Sequence, residues 1–346
     1  MDVIVVGGGM AGLQVATSRV LAGDTVTVLD KGRRHGGRMA SRRVDDAVFD
    51  QGVLDFAAHG PSFTAALRTW ADQGVARQVE GTDRWRGHPT MRSLPSALAF
   101  RCGAPVQCAT AVTRITVDAG RWRVTATSDA GSENRHADAL VLTLPAPQTL
   151  ALLAASSTVV APSTLAALQQ VTYTSSLTVL TRPRGRVGAR ALTDAAHRLR
   201  AEGDVAAVHR SSSTADDVIA GLTVQASAEY SAVSLDGDRA AAARTLADRV
   251  ARHLGTPLDV VYVHGWRYAQ VQRRIPLPAV RDDTPGAPLI LAGDFCDAVD
   301  GPEGIVQGGS APEGVERAFL SGRAGARLLD GDVALPAEGI ARVDTG

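Results

Sequence analysis

Lysine is almost missing from this chain. Its 346 residues carry 36 basic side chains, of which Lys31 is the one lysine and the rest are arginine. Chemistry that needs a proton-exchanging amine must use Lys31 or do without, because arginine keeps its proton near neutral pH. Cysteine is also scarce. Cys102, Cys108 and Cys296 are odd in number and form no CxxC pair, which argues against a disulfide framework or a metal centre. Aromatic residues are only 4% of the chain. Neither sign of charge is in excess, Lys+Arg and Asp+Glu both being 36, so no global field draws in nucleic acid or an anionic membrane. Long hydrophobic runs are lacking too. The longest, 139–161, is broken by Pro145 and Pro147 and reads as strand, turn and helix rather than a membrane span. No basic segment precedes the first apolar run, so no signal peptide is read and a cytoplasmic location is expected. What remains is ordinary globular composition, 45% hydrophobic and 21% charged, over a length suited to about two domains.

Val3-Ile4-Val5-Val6 is a run of β-formers that suits a buried parallel strand. Gly7-Gly8-Gly9-Met10-Ala11-Gly12 follows and matches GxGxxG. A helical stripe of Leu13, Ala16, Thr17, Val20 and Leu21 comes next and stops at Gly23-Asp24. Thr25-Val26-Thr27-Val28-Leu29 is a second strand, ended by Asp30. Strand, glycine turn, helix, strand and acid, in that order, make a βαβ unit for a dinucleotide. Gly7, Gly9, Met10, Ala11 and Gly12 bring backbone and helix N–H groups against a pyrophosphate. Asp30 stands where an acid accepts hydrogen bonds from a ribose hydroxyl.

This unit alone does not choose between NAD and FAD. Past Asp30 and Lys31 comes Gly36-Gly37-Arg38-Met39, which resembles the pyrophosphate-clamping segment of FAD-dependent amine oxidases. Arg38 would set a planar fork on a phosphate while the glycines let the loop fold over it. Near the other end, the apolar run 287–291 leads into Ala292-Gly293-Asp294. It resembles the second FAD motif of the same superfamily, where the Asp binds a ribityl hydroxyl or a nearby phosphate. A helix is expected from Gly314 to Leu329, with Val315 and Glu316 in its first turn. Its N–H groups could face the flavin N1–C2=O edge, which gains negative charge on reduction. Both ends of the chain thus converge on FAD.

At both ends and over 84–148 the chain resembles the renalase-like branch of the FAD-dependent amine oxidase superfamily, while 150–262 matches it only loosely. The resemblance rests on Asp30-Lys31 through Ser41, Trp85-Arg86-Gly87-His88-Pro89, Val112-Thr113-Arg114-Ile115, Leu142-Thr143-Leu144-Pro145, His264-Gly265-Trp266-Arg267-Tyr268-Ala269, Gly293-Asp294-Phe295-Cys296 and Val315-Glu316-Arg317-Ala318-Phe319. It implies an α/β fold, with a Rossmann-like FAD-binding domain of the glutathione-reductase and amine-oxidase type and a second α+β substrate domain built on a mixed sheet. It also implies that Val112 touches the adenine side of FAD. Bacterial members of the branch look like oxidases of isomeric dihydronicotinamide dinucleotides that pass two electrons to O₂. Three features depart from the pattern. Val53-Leu54-Asp55-Phe56 replaces a Gln-aromatic pair, a Gly/Pro-rich insertion spans 297–312, and Arg317 stands where a small residue is common.

Many amine oxidases of the superfamily hold a lysine and a water at flavin N5. Lys31 lies in the phosphate loop and cannot serve there too, so that mechanism is disfavoured. Hydride transfer from an activated carbon, as in a dihydropyridine, needs positioning and a dry face but no base. The expected function is therefore a renalase-like FAD oxidoreductase, with a small-molecule substrate, non-covalent FAD and O₂ as acceptor. Isomeric dihydro-NAD(P) is the favoured hydride donor. Amine oxidation or desaturation of a secondary metabolite is the alternative, and a non-catalytic flavin-binding module is a third reading. Trp266 and Tyr268 are candidates for an aromatic wall over the flavin, or else an ordinary core strand. Asp55, His59 and His264 are acid/base candidates. Cys296 reads as a packed thiol, not a flavin linkage.

The FAD-binding domain is expected to be discontinuous, 1–60, 90–147 and 285–333, with a substrate domain of 61–89 and 148–284 and a tail at 334–346. Strands are expected near 105–109, 111–117, 121–127, 139–144, 171–180, 221–230 and 259–269. Helices are expected near 62–73 and 238–254. Residues 183–218 show weak periodicity and read as a lid or surface turns.

Overall fold

A computed structural model describes residues 1–211, 219–300 and 313–331. Asp2–Val6 and Thr25–Leu29 pair in parallel, with the helix Met10–Leu21 crossing between them. They lie inside a six-stranded sheet ordered Val280–Asp282, Leu289–Leu291, Ala139–Leu142, Asp2–Val6, Thr25–Leu29, Val106–Gln107. Every pair is parallel except the edge strand Val280–Asp282. Both faces are covered, which is why these strands are continuous apolar runs. Val3, Val5, Val28, Val141 and Ile290 pack with Val15 and Ala326 of the first and last helices. Ile4, Val6, Leu140 and Leu291 pack with Ile115, Trp122 and Val124 of a three-stranded antiparallel sheet. The parallel register sets the carboxyl ends of three strands side by side. Gly7, Thr143 and Ala292-Gly293-Asp294 thus share one edge, where ligands bind in open α/β sheets.

The second unit is a four-stranded sheet ordered Val205–Arg210, Leu222–Ala226, Thr172–Pro183, Leu258–Arg273. One face, with Leu177, Val179, Leu222 and Val224, is buried under the helices Ala189–Ala201, Ala228–Leu235 and Arg239–Leu254. The opposite face carries the segment 50–52 as a strap. Thr223 Oγ1 donates to the Asp50 carbonyl at 2.9 Å, Trp266 Nε1 to the Gln51 carbonyl at 2.8 Å, and Gln225 Nε2 to the Gly52 carbonyl.

The structure departs from the sequence reading in several places. The second sheet, expected to be mixed, is antiparallel throughout, as neighbouring strands that need no crossover helix allow. The expected strand 221–230 stops at Ala226. Ser227 caps a helix instead, its Oγ accepting from the Tyr230 N–H. Within 183–218 a helix, Ala189–Ala201, buries Leu192, Ala195 and Leu199. That stripe is narrow among arginines and alanines and so was hard to read. Of the strand expected near 105–109, Val106–Gln107 forms and joins the main sheet beside Thr25–Leu29. Gly131–Ala137 is a polar edge strand with no apolar period. The helix Pro61–Asp72, expected in the substrate domain, packs Phe63, Leu67 and Trp70 against Met10, Met39 and Phe319. Most of the 297–312 insertion, and the tail, lie outside the described residues. No helix among the described residues is long and apolar enough to cross a membrane.

Candidate active site

The shared strand edge opens into a cavity of about 1910 Å³ that continues along the open face of the second sheet. Gly7, Gly9, Met10, Ala11, Asp30, Lys31, Gly37, Arg38, Met39, Val112, Gly293, Asp294 and Val315 line it. Gly12 works one step behind. A Cβ there would fall 1.9 Å from the Gly7 carbonyl oxygen, so only glycine lets the helix approach the strand so closely. Gly9 is the opposite case: a Cβ there meets nothing within 4 Å. The room left above it is a cradle for a ligand.

Two helices begin at this cavity without side-chain caps. Gly9 and Glu313 are the N-cap residues of Met10–Leu21 and Gly314–Leu328, and neither bonds its helix start through a side chain. Their first-turn N–H groups and positive dipole ends suit anionic parts of one ligand. Asp30 accepts from the Gly8 and Gly32 N–H groups, both at 2.6 Å. This fixes the carboxylate at the mouth of the turn. Lys31 Nζ donates to Gln148 Oε1 at 3.1 Å beside it. Gln51 also lines the cavity, and its buried Oε1 has no hydrogen-bond partner among the described residues. A bound donor would satisfy it. These features fit a dinucleotide of the FAD type laid from the glycine turn to the last helix.

Arg38 and Asp294, expected on phosphate and ribityl groups, are joined to each other. Arg38 donates to the two carboxylate oxygens at 2.7 and 2.6 Å. Asp294 is buried, and a buried carboxylate takes the nearest fork. The pair ties the Gly36-Gly37-Arg38 loop to the Gly293-Asp294 corner across 256 residues of sequence. Arg274 Nε closes the same corner on the Asp294 carbonyl at 3.2 Å.

Other expected residues are sorted by the fold. Trp266 lines the cavity, with its indole on the strap and His264 edge-on at 4.3 Å between ring centroids. Tyr268 lines it too and packs edge-on to Tyr173. Burial raises the Tyr173 hydroxyl above its ordinary pKa, and it accepts from the Ala146 N–H at 3.0 Å. His264 is held below its usual pKa by burial and by Arg42 and Arg239. His59 is exposed and does not line the cavity. Glu316, expected at the flavin, is fully buried and accepts from the His59 and Gly60 N–H groups. It anchors the loop before Pro61–Asp72. Cys296 is fully buried and does not line the cavity, and burial pushes its thiol up to about 12.

Asp55 lies in the cavity wall, paired with residues the sequence did not single out. Arg84 donates to it, and Arg84 also reaches Glu313 at 3.0 Å. His209 Nε2 lies 3.3 Å from its other oxygen. Burial, then Arg86, pushes the His209 ring down to about 4. Nothing in local spacing marks His209, Arg84 or Glu313. They meet only through the fold.

Residues 5–72 match the NAD(P)-binding Rossmann-like domain model, and residues 53–329 match the flavin containing amine oxidoreductase model. Among solved structures, the chain is similar to a putative protoporphyrinogen oxidase from Exiguobacterium sp. 255-15, with a TM-score of 0.66 and 13% identity over 96% of this chain and 99% of that one. It is also similar to a fatty acid isomerase from P. acnes that produces CLA, with a TM-score of 0.62 and 12% identity over 96% and 98%. A putrescine oxidase bound to putrescine gives a TM-score of 0.64 and 13% identity over 95% and 99%. At such identities these likenesses concern the fold. The family match spans most of the chain, its two ends meet in one dinucleotide cavity, and the chain belongs to the flavin containing amine oxidoreductases, as an FAD-dependent oxidoreductase.

Proposed function

We propose that the chain holds FAD non-covalently and oxidises an anionic organic hydride donor, with isomeric dihydro-NAD(P) favoured and O₂ as electron acceptor. This is the renalase-like reading. The observation that carries it is the charge of the cavity wall, where, among the described residues, twelve arginines and Lys31 stand with Asp30, Asp55, Asp294 and Glu313. A flavin pyrophosphate would offset part of that excess. The remainder attracts a second phosphate-bearing molecule and repels a cationic polyamine. The volume agrees: single small-molecule sites run to about 1,000 Å³, and this cavity is near twice that.

FAD, when bound, would supply the two-electron redox chemistry. The chain's own part is binding and orientation. The glycine turn and Asp30 hold the nucleotide half, with Lys31 and Val112 beside them. Arg38 and Asp294 would brace the middle, and the start of Gly314–Leu328 would hold the far end of the cofactor. Trp266 and Tyr268, on the cavity side of the second sheet, would wall the ring. Lys31 sits in the loop after Asp30, bonded to Gln148, and holds no proton at the reacting face. A donor that loses hydride to become an aromatic cation needs none.

The test is anaerobic reduction of the holoenzyme. Bleaching by 2- or 6-dihydro-NAD(P), with no bleaching by putrescine, supports the reading. Bleaching only by amines or carbocyclic metabolites replaces it with the amine oxidase or desaturase alternative.

A further inference from the structure

We infer that His209, oriented by Asp55, is the hydrogen-bond acceptor that seats an amide N–H of the substrate beside the carbon giving up hydride. The inference rests on the proposed hydride-donor reading, in which the nicotinamide carboxamide is that amide.

Four separate segments build the subsite. Asp55 follows the 50–52 strap, His209 lies in the strand Val205–Arg210, Arg84 begins Arg84–Gly87, and Glu313 precedes the last helix. Asp55, Arg84, His209 and Glu313 all line the cavity. The carboxylate of Asp55 can only accept, so His209 carries its proton on Nε2, 3.3 Å away. Nδ1 then keeps a lone pair. Arg84 grips the other Asp55 oxygen and reaches Glu313, so the carboxylate that orients the ring is itself fixed. The subsite lies next to the start of Gly314–Leu328, the end of the cavity assigned to the reacting ring.

The chemistry of the wall explains why an acceptor matters here. Twelve lining arginines offer N–H groups and no lone pair. An amide N–H brought into this cavity needs an acceptor, because an unpaired buried donor is costly, and besides Gln51 Oε1 on the strap the subsite must offer one. A neutral imidazole supplies one. Among the described residues, the charged groups that act most strongly on the ring are Arg86, Asp55, Arg200 and Arg84. With three guanidiniums among them the ring resists a second proton, so it serves as an acceptor rather than a proton sink. Loss of hydride from a dihydropyridine releases no proton, so a proton sink is not required.

The test uses the oxidised, flavin-loaded enzyme and two non-reducing probes, NAD⁺ and its 3-acetylpyridine analogue, which lacks the amide N–H. Calorimetry should show NAD⁺ binding more tightly to the wild type. His209→Leu should weaken NAD⁺ binding about 10- to 100-fold, the range of one buried hydrogen bond, and leave the analogue unchanged. His209→Gln, which restores an acceptor, should recover NAD⁺ affinity to within about 3-fold. NAD⁺ affinity should stay flat from about pH 8 to pH 6, without the inflection an ordinary histidine gives near 6.5. Unchanged NAD⁺ affinity in His209→Leu, or equal loss for both probes, overturns the inference. Failure of every dihydro-NAD isomer to bleach wild-type flavin overturns the underlying reading, and that result is read on the wild type alone.

Discussion

Arg38 and Asp294 join the two ends of the proposed cofactor site, and each is the other's partner. Removing either strands a poorly solvated charge, at a cost of about 3 kcal/mol. Arg38→Ala and Asp294→Ala should each lower flavin retention and unfold at lower urea. The double variant should lose less than the sum of the two, because it leaves no unpaired charge. Urea titrations in a double-mutant cycle measure this, and additive losses would mean the pair is not coupled. His209 gives a pH signature. Its folded pKa, about 4, lies below the ordinary value of about 6.5. Below about pH 6.5 the unfolded chain takes up that proton first, so stability falls as pH drops toward about 4. His209→Gln should flatten that part of the stability–pH curve. Residues with a local pattern were legible in the sequence: the glycine turn, Asp30, Gly37-Arg38 and Gly293-Asp294 all line the cavity or shape it. Glu316 and His59 were not. Their positions in sequence gave no sign that one anchors the loop carrying the other.

At the scale of elements, the first βαβ unit and the last helix were readable because both have strong periods and clear stops. Gly12→Ala should abolish flavin binding, since the Cβ has no room against the Gly7 carbonyl. A flavin content equal to wild type would contradict the close-approach role. Asp238 caps Arg239–Leu254 by accepting from the Ala240 and Ala241 N–H groups at 2.9 and 3.0 Å. Asp238→Ala should cost about 1 kcal/mol by chemical denaturation, with little change in flavin content, because the helix lies behind the second sheet. The helices Ala189–Ala201 and Ala228–Leu235 were the least legible elements. One buries a narrow stripe, and the other hides behind a period-2 run that a single serine cap interrupts.

Across the whole molecule, the cavity is made by segments hundreds of residues apart, and its charge is a property of their convergence. A chain with no net charge nevertheless builds a strongly basic cleft, because its arginines are gathered and its acids are mostly elsewhere. No composition argument could show this. The most direct measurement is the rate of anaerobic flavin reduction by dihydro-NAD isomers and by putrescine at increasing ionic strength. The dihydro-NAD rate at limiting donor should fall as salt screens the cleft, and putrescine should be inert throughout. A dihydro-NAD rate indifferent to salt, or faster reduction by the diamine, would contradict an anionic donor drawn to a basic cavity.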